Sequence, residues 1–243
     1  MIIGGGSNKG LVREINQDCM YIARKNCLPL FIVADGMGGH KAGEIASKLT
    51  VDIVRKDITL NASKISNQDE VYSTIKKAIE LANSEVYNYS LSHSECNGMG
   101  TTVTLGYVYN NNYFIVAHVG DSRAYYLRNK HLIKITEDHS LVNELIKTGE
   151  ITRSEALTHP QRNVILRAVG TSPEIDIDIY SIEIKKEDIF IICSDGLTNM
   201  IDEPEIQDIF EKTEDIENAC ELAIESAINK GGKDNITVIG IRF

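Results

Sequence analysis

The chain has 243 residues, 42% of them hydrophobic and 25% charged, and a net charge of −10, which is enough apolar material for one sizeable core. The acidic balance argues against a nucleic-acid footprint and against docking on anionic lipid. The five cysteines, Cys19, Cys27, Cys96, Cys193 and Cys220, form no Cys-x-x-Cys pair, which argues against a thiolate zinc site or a disulfide framework and for reduced cytosolic thiols.

No linker, repeat or long charge run interrupts the sequence, so a single domain over 1–243 is expected. The first residues, Met1 to Gly10, show no basic-then-apolar leader. No apolar run approaches the roughly 20 residues of a membrane span. The cytoplasm is the expected compartment.

In chain order, the β-branched run Leu28–Ala34 predicts a strand. A helix follows over Ala42–Lys56, with apolar residues at 42, 45, 46, 49 and 53, and a second over Asp69–Ser92. Strands are predicted at Thr101–Val108, Tyr113–Val119 and Arg123–Leu127. Short turns join them at Asn110-Asn111-Asn112 and Arg128-Asn129-Lys130, so neighbours pair antiparallel. Residues 136–172 differ: Ser140 can cap a short helix running to Gly149, and the rest is polar and loop-like, as in an active-site flap. Strands resume at Ile175–Ile184 and Ile189–Cys193. A third helix covers Asp215–Asn229, and a last strand Ile236–Ile241. The pattern is α+β, layered helix–sheet–sheet–helix.

Several aspartates share one context, the end of an apolar strand-like run beside a small residue. They are Asp35 in Asp35-Gly36-Met37-Gly38-Gly39-His40, Asp121 in Gly120-Asp121-Ser122-Arg123, Asp195 in Ser194-Asp195-Gly196, and Asp234 in Asp234-Asn235. Asp18 precedes the apolar stretch Cys19–Ala23. One Asp-Gly pair is only a turn signal. Repeated at strand ends, such pairs put carboxylates on a rigid rim. Carboxylates that converge repel one another unless cations intervene, and oxygen-only ligands suit Mg²⁺, Mn²⁺ or Ca²⁺ over zinc.

With these residues quoted, the chain resembles the metal-dependent protein phosphatases of type 2C, in particular their compact bacterial members. The likeness runs in order through Arg13 to Asp18, Asp35 to His40, Gly98-Met99-Gly100-Thr101-Thr102, Gly120 to Tyr125, Asp138-His139-Ser140, His159 to Asn163, Ser194 to Leu197, and Asp234 to Thr237. It implies a four-layer sandwich of two antiparallel β-sheets flanked by helices, with the flap at about 136–172. It implies a serine/threonine phosphatase using two Mn²⁺ or Mg²⁺ ions, with direct attack on phosphate by a metal-bridging water and no phospho-enzyme. By resemblance, Asp35 bridges the ions, joined by the Gly36 carbonyl, and Asp195 and Asp234 complete the first site. Asp18 acts near the second, and Asp121 with Asp195 matches a pair that holds a third, weaker ion. Arg13 grips the substrate phosphate with a planar fork that lysine lacks. The implied partners are phosphoserine and phosphothreonine proteins, a serine/threonine kinase among them, and the expected state is a monomer without nucleic acid or membrane.

The sequence departs from the family at three places. Gln17 replaces a glutamate of many members, which weakens the second metal site. Met37 replaces the histidine that animal members are proposed to use as proton donor, and His40 lies three positions on; the proton donor stays unassigned. Gly4-Gly5-Gly6 is glycine-rich for a first strand, which is expected to be short or frayed.

Other chemistries fit less well. Cysteine-dependent phosphatases need arginine six positions after the cysteine, and the residues there are Lys25, Val33, Thr102, Asn199 and Ser226. Asp176-Ile177-Asp178 lies in an apolar/acidic alternation and reads as a half-exposed strand, not a nucleophile pair. His93, His118 and His131 read as surface or satisfied core residues, and Asp138-His139 as structural. His159 and Arg162 are candidates for touching substrate from the flap. The alternative function is a non-catalytic regulatory module on the same fold, but such relatives usually lose the aspartates retained here.

Overall fold

The computed structural model describes residues 1–23, 27–38 and 42–243. Gly39 and His40 therefore lie outside the described residues. Strands β1 (Ile2–Asn8), β2 (Asp18–Ile22) and β3 (Leu30–Met37) open the chain, followed by helices α1 (Ala42–Asn61) and α2 (Gln68–Ser92). A run of strands follows: β4 (Gly100–Thr101), β5 (Val103–Tyr109), β6 (Tyr113–Val119), β7 (Arg123–Arg128) and β8 (His131–Lys134). The flap region holds the short helices α3 (Leu141–Lys147) and α4 (Arg153–Ala156). Strands β9 (Asp178–Glu183) and β10 (Ile189–Cys193), helices α5 (Asp195–Thr198), α6 (Glu203–Lys212) and α7 (Ile216–Asn229), and strand β11 (Ile236–Arg242) complete it.

Two antiparallel sheets result, in the orders β1-β11-β10-β7-β8 and β2-β3-β5-β6-β9, with β4 pairing β3. Helices α1 and α2 bury Val54, Ile58, Ile75 and Ile79 against the second sheet. Helices α6 and α7 bury Ile206, Phe210, Ala219 and Ala223 against the first. Between the sheets lie Phe31, Phe114, Phe190 and Ile192, with the Phe114 and Phe190 rings stacked at 4.1 Å. This is the expected helix–sheet–sheet–helix sandwich.

Local chemistry explains the tight connections. Asn110 and Asn111, both with positive φ, turn β5 into β6, and Asn129 and Lys130 do the same between β7 and β8. That is the conformation whose twist matches a two-residue hairpin. Asn67 caps α2 by accepting from the Glu70 N–H, and Ser140 caps α3 as expected.

The expectation of a short or frayed first strand is corrected. Strand β1 pairs with β11 along its whole length, from Ile2 opposite Arg242 to Asn8 opposite Ile236. Its glycines allow close packing: a Cβ on Gly4 would sit 2.4 Å from the Glu217 Cα of α7. The helix backbone thus rests almost directly on the strand backbone. A Gly4→Ala substitution is expected to cost about 2 kcal/mol by overpacking. Urea unfolding should show this as a lower midpoint at unchanged slope.

The strand predicted at Ile175–Ile184 is shorter, beginning at Asp178. Ile175 and Ile177 still pack on the α1/α2 side of the core, so the apolar alternation reported burial before it reported pairing.

Candidate active site

The aspartates at the strand ends do converge. Arg13, Asp35, Gly36, Asp121, Asp195 and Asp234 line one cavity of about 200 Å³, together with Gln17, Met37, Asn163, Ile165 and Asn235. The cavity opens where the ends of β3 and β10, the turn after β6 and the turn before β11 meet.

Asp35 is placed by its backbone. Its N–H donates to Thr102 Oγ1 at 2.9 Å, and its carbonyl accepts from Thr101 Oγ1 at 2.8 Å and from the Thr102 N–H at 2.9 Å. Thr102 Oγ1 also bonds Ser122 Oγ at 2.7 Å. A buried hydroxyl chain therefore links the end of β3 to the residue beside Asp121.

The glycines after Asp35 and Asp195 serve close approach. A Cβ on Gly36 would lie 2.1 Å from the Gly43 carbonyl oxygen at the start of α1, and one on Gly196 would lie 1.9 Å from the Asn235 carbonyl oxygen. Neither glycine has a positive φ. The Asp-Gly pairs are thus contact points between backbones, where the sequence signal alone suggests turns.

Asp18 lies beside the cavity lining, directly across from Asp35 in the β2–β3 register. Its Oδ2 accepts from Ser194 Oγ at 2.8 Å, just past the end of β10, and from Thr237 Oγ1 at 2.7 Å, in β11 of the opposite sheet. It therefore ties the two sheets together under the site. Its Oδ1 is buried with no hydrogen-bond partner, and so is Asp121 Oδ1.

The electrostatics follow from burial among like charges. Burial, then the charge of Asp195, pushes the Asp121 carboxyl up to about 8. Burial pushes Asp18 up to about 6 against the two hydroxyl bonds. Asp35 is raised well above the ordinary range, by burial first and then by Asp18, Asp195, Asp121 and Asp234. Asp195 is raised by burial and by Asp234, opposed in part by the amide of Asn199, which donates to its Oδ2 at 2.9 Å.

Arg13 supplies the cavity's positive charge. Its Nη2 donates to Asp234 Oδ2 at 2.7 Å, and the guanidinium remains half-exposed. The loop that carries it is held by Asn235, whose Nδ2 donates to the carbonyls of Lys9 and Ile15 at 2.9 and 3.0 Å and whose Oδ1 accepts from the Gln17 N–H at 2.8 Å. In the sequence, Asn235 is marked only by its place next to Asp234 in a motif. Asn199 and Ile165 carry no sequence signal that marks them as site residues.

Arg162 does not line the cavity. Its Nη1 donates to the Leu157 carbonyl at 2.8 Å within the flap, while Asn163 and Ile165 face the site instead. His118 is the satisfied core histidine expected, fully buried between Thr104 Oγ1 and the Glu137 carbonyl. The carboxylates ring the cavity without closing into a ready cage. Among the described residues, no three His, Cys, Asp or Glu side chains are spaced to hold an ion by themselves.

A pocket of acidic strand ends with one arginine at its mouth is the equipment of a phosphate-processing hydrolase. The family model for protein phosphatase 2C matches residues 9–229. A serine/threonine phosphatase of Listeria monocytogenes, stp, is 38% identical over 96% of this chain and 92% of its own length. The crystal structure of the serine/threonine phosphatase Stp1 from Staphylococcus aureus superposes with a TM-score of 0.92 at 33% identity, covering 100% of this chain and 95% of that one. The catalytic domain of the serine/threonine phosphatase PstP, in complex with two manganese ions, superposes with a TM-score of 0.85 at 31% identity, covering 98% of this chain and 96% of that one. The chain belongs to the protein phosphatase 2C family. It is a protein-serine/threonine phosphatase, with phosphoproteins as its substrate class.

Proposed function

We propose that this phosphatase hydrolyses phosphoserine and phosphothreonine in proteins with the help of Mn²⁺ or Mg²⁺ held by Asp35, Asp195 and Asp234, with Asp18 and Asp121 contributing. The observation that carries the reading is the pair of buried carboxylate oxygens, Asp18 Oδ1 and Asp121 Oδ1, that no protein donor satisfies. An ionised carboxylate is acceptor-only, so a buried oxygen without a donor fits a cation better than it fits the protein alone. The donor set is oxygen throughout, which suits hard divalent ions. The open spacing of the carboxylates also fits Mg²⁺-like ions, which keep several waters and take few protein ligands. The Gly36 main chain at the cavity wall is a further candidate ligand.

Bound there, the ions would supply Lewis acidity toward phosphoryl oxygens and toward water. The chain's own residues do the rest. Arg13 turns its fork from Asp234 to two phosphate oxygens. The Thr102–Ser122 hydroxyl chain fixes the spacing of Asp35 and Asp121. Asn163 and Ile165 bring the flap against the substrate. Among the described residues that line the cavity, no histidine or lysine offers a proton to the leaving alkoxide, and Met37 has none to give. A serine/threonine kinase is the opposing activity that a reversible phosphorylation requires.

Purified protein with Mn²⁺ is expected to release phosphate from a phosphothreonine peptide, and excess EDTA to abolish the release. Equal activity in EDTA and Mn²⁺ would overturn the cation-dependent reading.

A further inference from the structure

We propose that His139 is a positioning residue that clamps the turn carrying Asp121 and ties it to the flap. The inference rests on the cation-binding role given to Asp121 above.

Asp121 depends on its backbone for aim, since its Oδ1 has no hydrogen-bond partner in the protein. That backbone turns at the preceding Gly120, whose φ of 112° is a conformation that only glycine adopts at little cost. His139 grips Gly120 on both sides. The His139 N–H donates to the Gly120 carbonyl at 2.7 Å, and the Gly120 N–H donates to His139 Nδ1 at 3.1 Å.

This second bond fixes the ring's tautomer. Nδ1 accepts, so the proton of the neutral ring sits on Nε2. Burial favours that neutral ring. Nε2 then donates to Asp178 Oδ2 at 3.2 Å. Arg167 Nη1 also lies 3.2 Å from Nε2, but two N–H groups cannot bond each other, and the arginine's partner is Asp178 Oδ1 at 2.9 Å. Asp178 is thereby fixed between the histidine and an arginine of the flap. The neighbouring His118 ring packs against His139 at 4.8 Å between centroids.

The third attachment is to the flap's returning limb. The His139 carbonyl accepts from the Leu166 N–H at 2.8 Å, and the Leu141 N–H donates to the Val164 carbonyl at 2.9 Å. Asn163 and Ile165, which line the cavity, belong to this limb. One buried residue, 7% exposed, therefore joins the Asp121 turn, β9 and the flap. It is not among the cavity-lining residues, so it acts through Gly120 and the flap and not on substrate.

The test is Mn²⁺ binding by titration calorimetry, with amide hydrogen exchange at Gly120 as a second readout. His139→Ala and His139→Gln are expected to weaken the weakest class of Mn²⁺ sites about tenfold, the lower end of what supporting residues around metal ligands contribute. Exchange at Gly120 should accelerate in both. His139→Asn keeps an acceptor near the Nδ1 position and should restore slow Gly120 exchange and most of the affinity. Asp178→Ala, which leaves the histidine in place but frees its ring, should give a smaller loss in a folded protein. Unchanged Mn²⁺ affinities in folded His139→Ala and Asp178→Ala would overturn the inference and leave the cation reading standing. A parent protein that binds no Mn²⁺ would overturn both.

Discussion

An Asp35→Asn variant is expected to fold, to melt higher than the parent protein in EDTA at pH 8, and to lose on the order of 10³-fold or more in phosphopeptide turnover with saturating Mn²⁺. The two effects have one cause. Asp35 ends β3 opposite Asp18 and is raised by burial and by the charges of Asp18, Asp195, Asp121 and Asp234. Forcing it to ionise without a cation works against the fold, so a neutral amide of the same shape relieves the repulsion. Its backbone bonds to Thr101 and Thr102 do not involve the carboxylate, so the strand end survives. The amide contributes no charge to hold a divalent ion, and the chemistry that such an ion supplies is lost. Thermal melting in EDTA and steady-state turnover, measured on the same preparation, separate the cases. Unchanged turnover would sink the cation-assisted mechanism. A lower melting temperature would mean that the carboxylate stabilises the fold and is not under strain from its neighbours.

Where the sequence was legible, the reason was local. Strands Tyr113–Val119 and Ile189–Cys193 were predicted to the residue, because each is an apolar run bounded by residues that break it. Helices α1, α2 and α7 followed from their apolar stripes, though α1 runs on to Asn61 beyond the expected Lys56. What was missed depended on distant partners. The Gly4-Gly5-Gly6 run has no strand signature; it makes sense only once α7 is laid across it. Helix α6 went unpredicted, although Asp202 caps it and Pro204 sits in its first turn. Only Ile206 and Phe210 are buried along it, too sparse a stripe to stand out among acids. At the site, each strand-end aspartate was readable one at a time. Their convergence is made by the Asp18–Asp35 register and by Ser194 and Thr237 reaching across from the other sheet, long-range facts that no spacing encodes. Arg13 was assigned to phosphate from the resemblance, whereas the structure gives it Asp234 as a resting partner.

Mn²⁺ at one fixed concentration, about a hundredfold above its dissociation constant at pH 6, is expected to raise the melting temperature by roughly 5–10 °C at pH 6 and by more at pH 8. At that excess one bound ion stabilises by about 2.7 kcal/mol, and a chain of this size gains roughly 2–4 °C per kcal/mol. The pH dependence follows from the carboxylates. Burial and the neighbouring carboxylates push Asp18 up to about 6 and Asp121 up to about 8, against 3.8 for the ordinary group, and Asp35 and Asp195 are raised as well. Without cations the folded state therefore binds more protons than the unfolded chain across this range. The stability linked to these protons is fully present below about 4 and is lost as pH rises through 6 and 8. His118 works in the opposite sense: burial lowers it to about 3, so its contribution is present above 6.5 and lost as pH falls. The metal-free protein should thus be most stable in mildly acidic solution and weaken toward pH 8. Cations replace the protons on the carboxylates, so they bind more tightly as those protons leave. Melting curves in EDTA and in Mn²⁺ at the two pH values test this directly. An Mn²⁺ increment that is equal at both, or larger at pH 6, would mean that the ions do not sit on these aspartates.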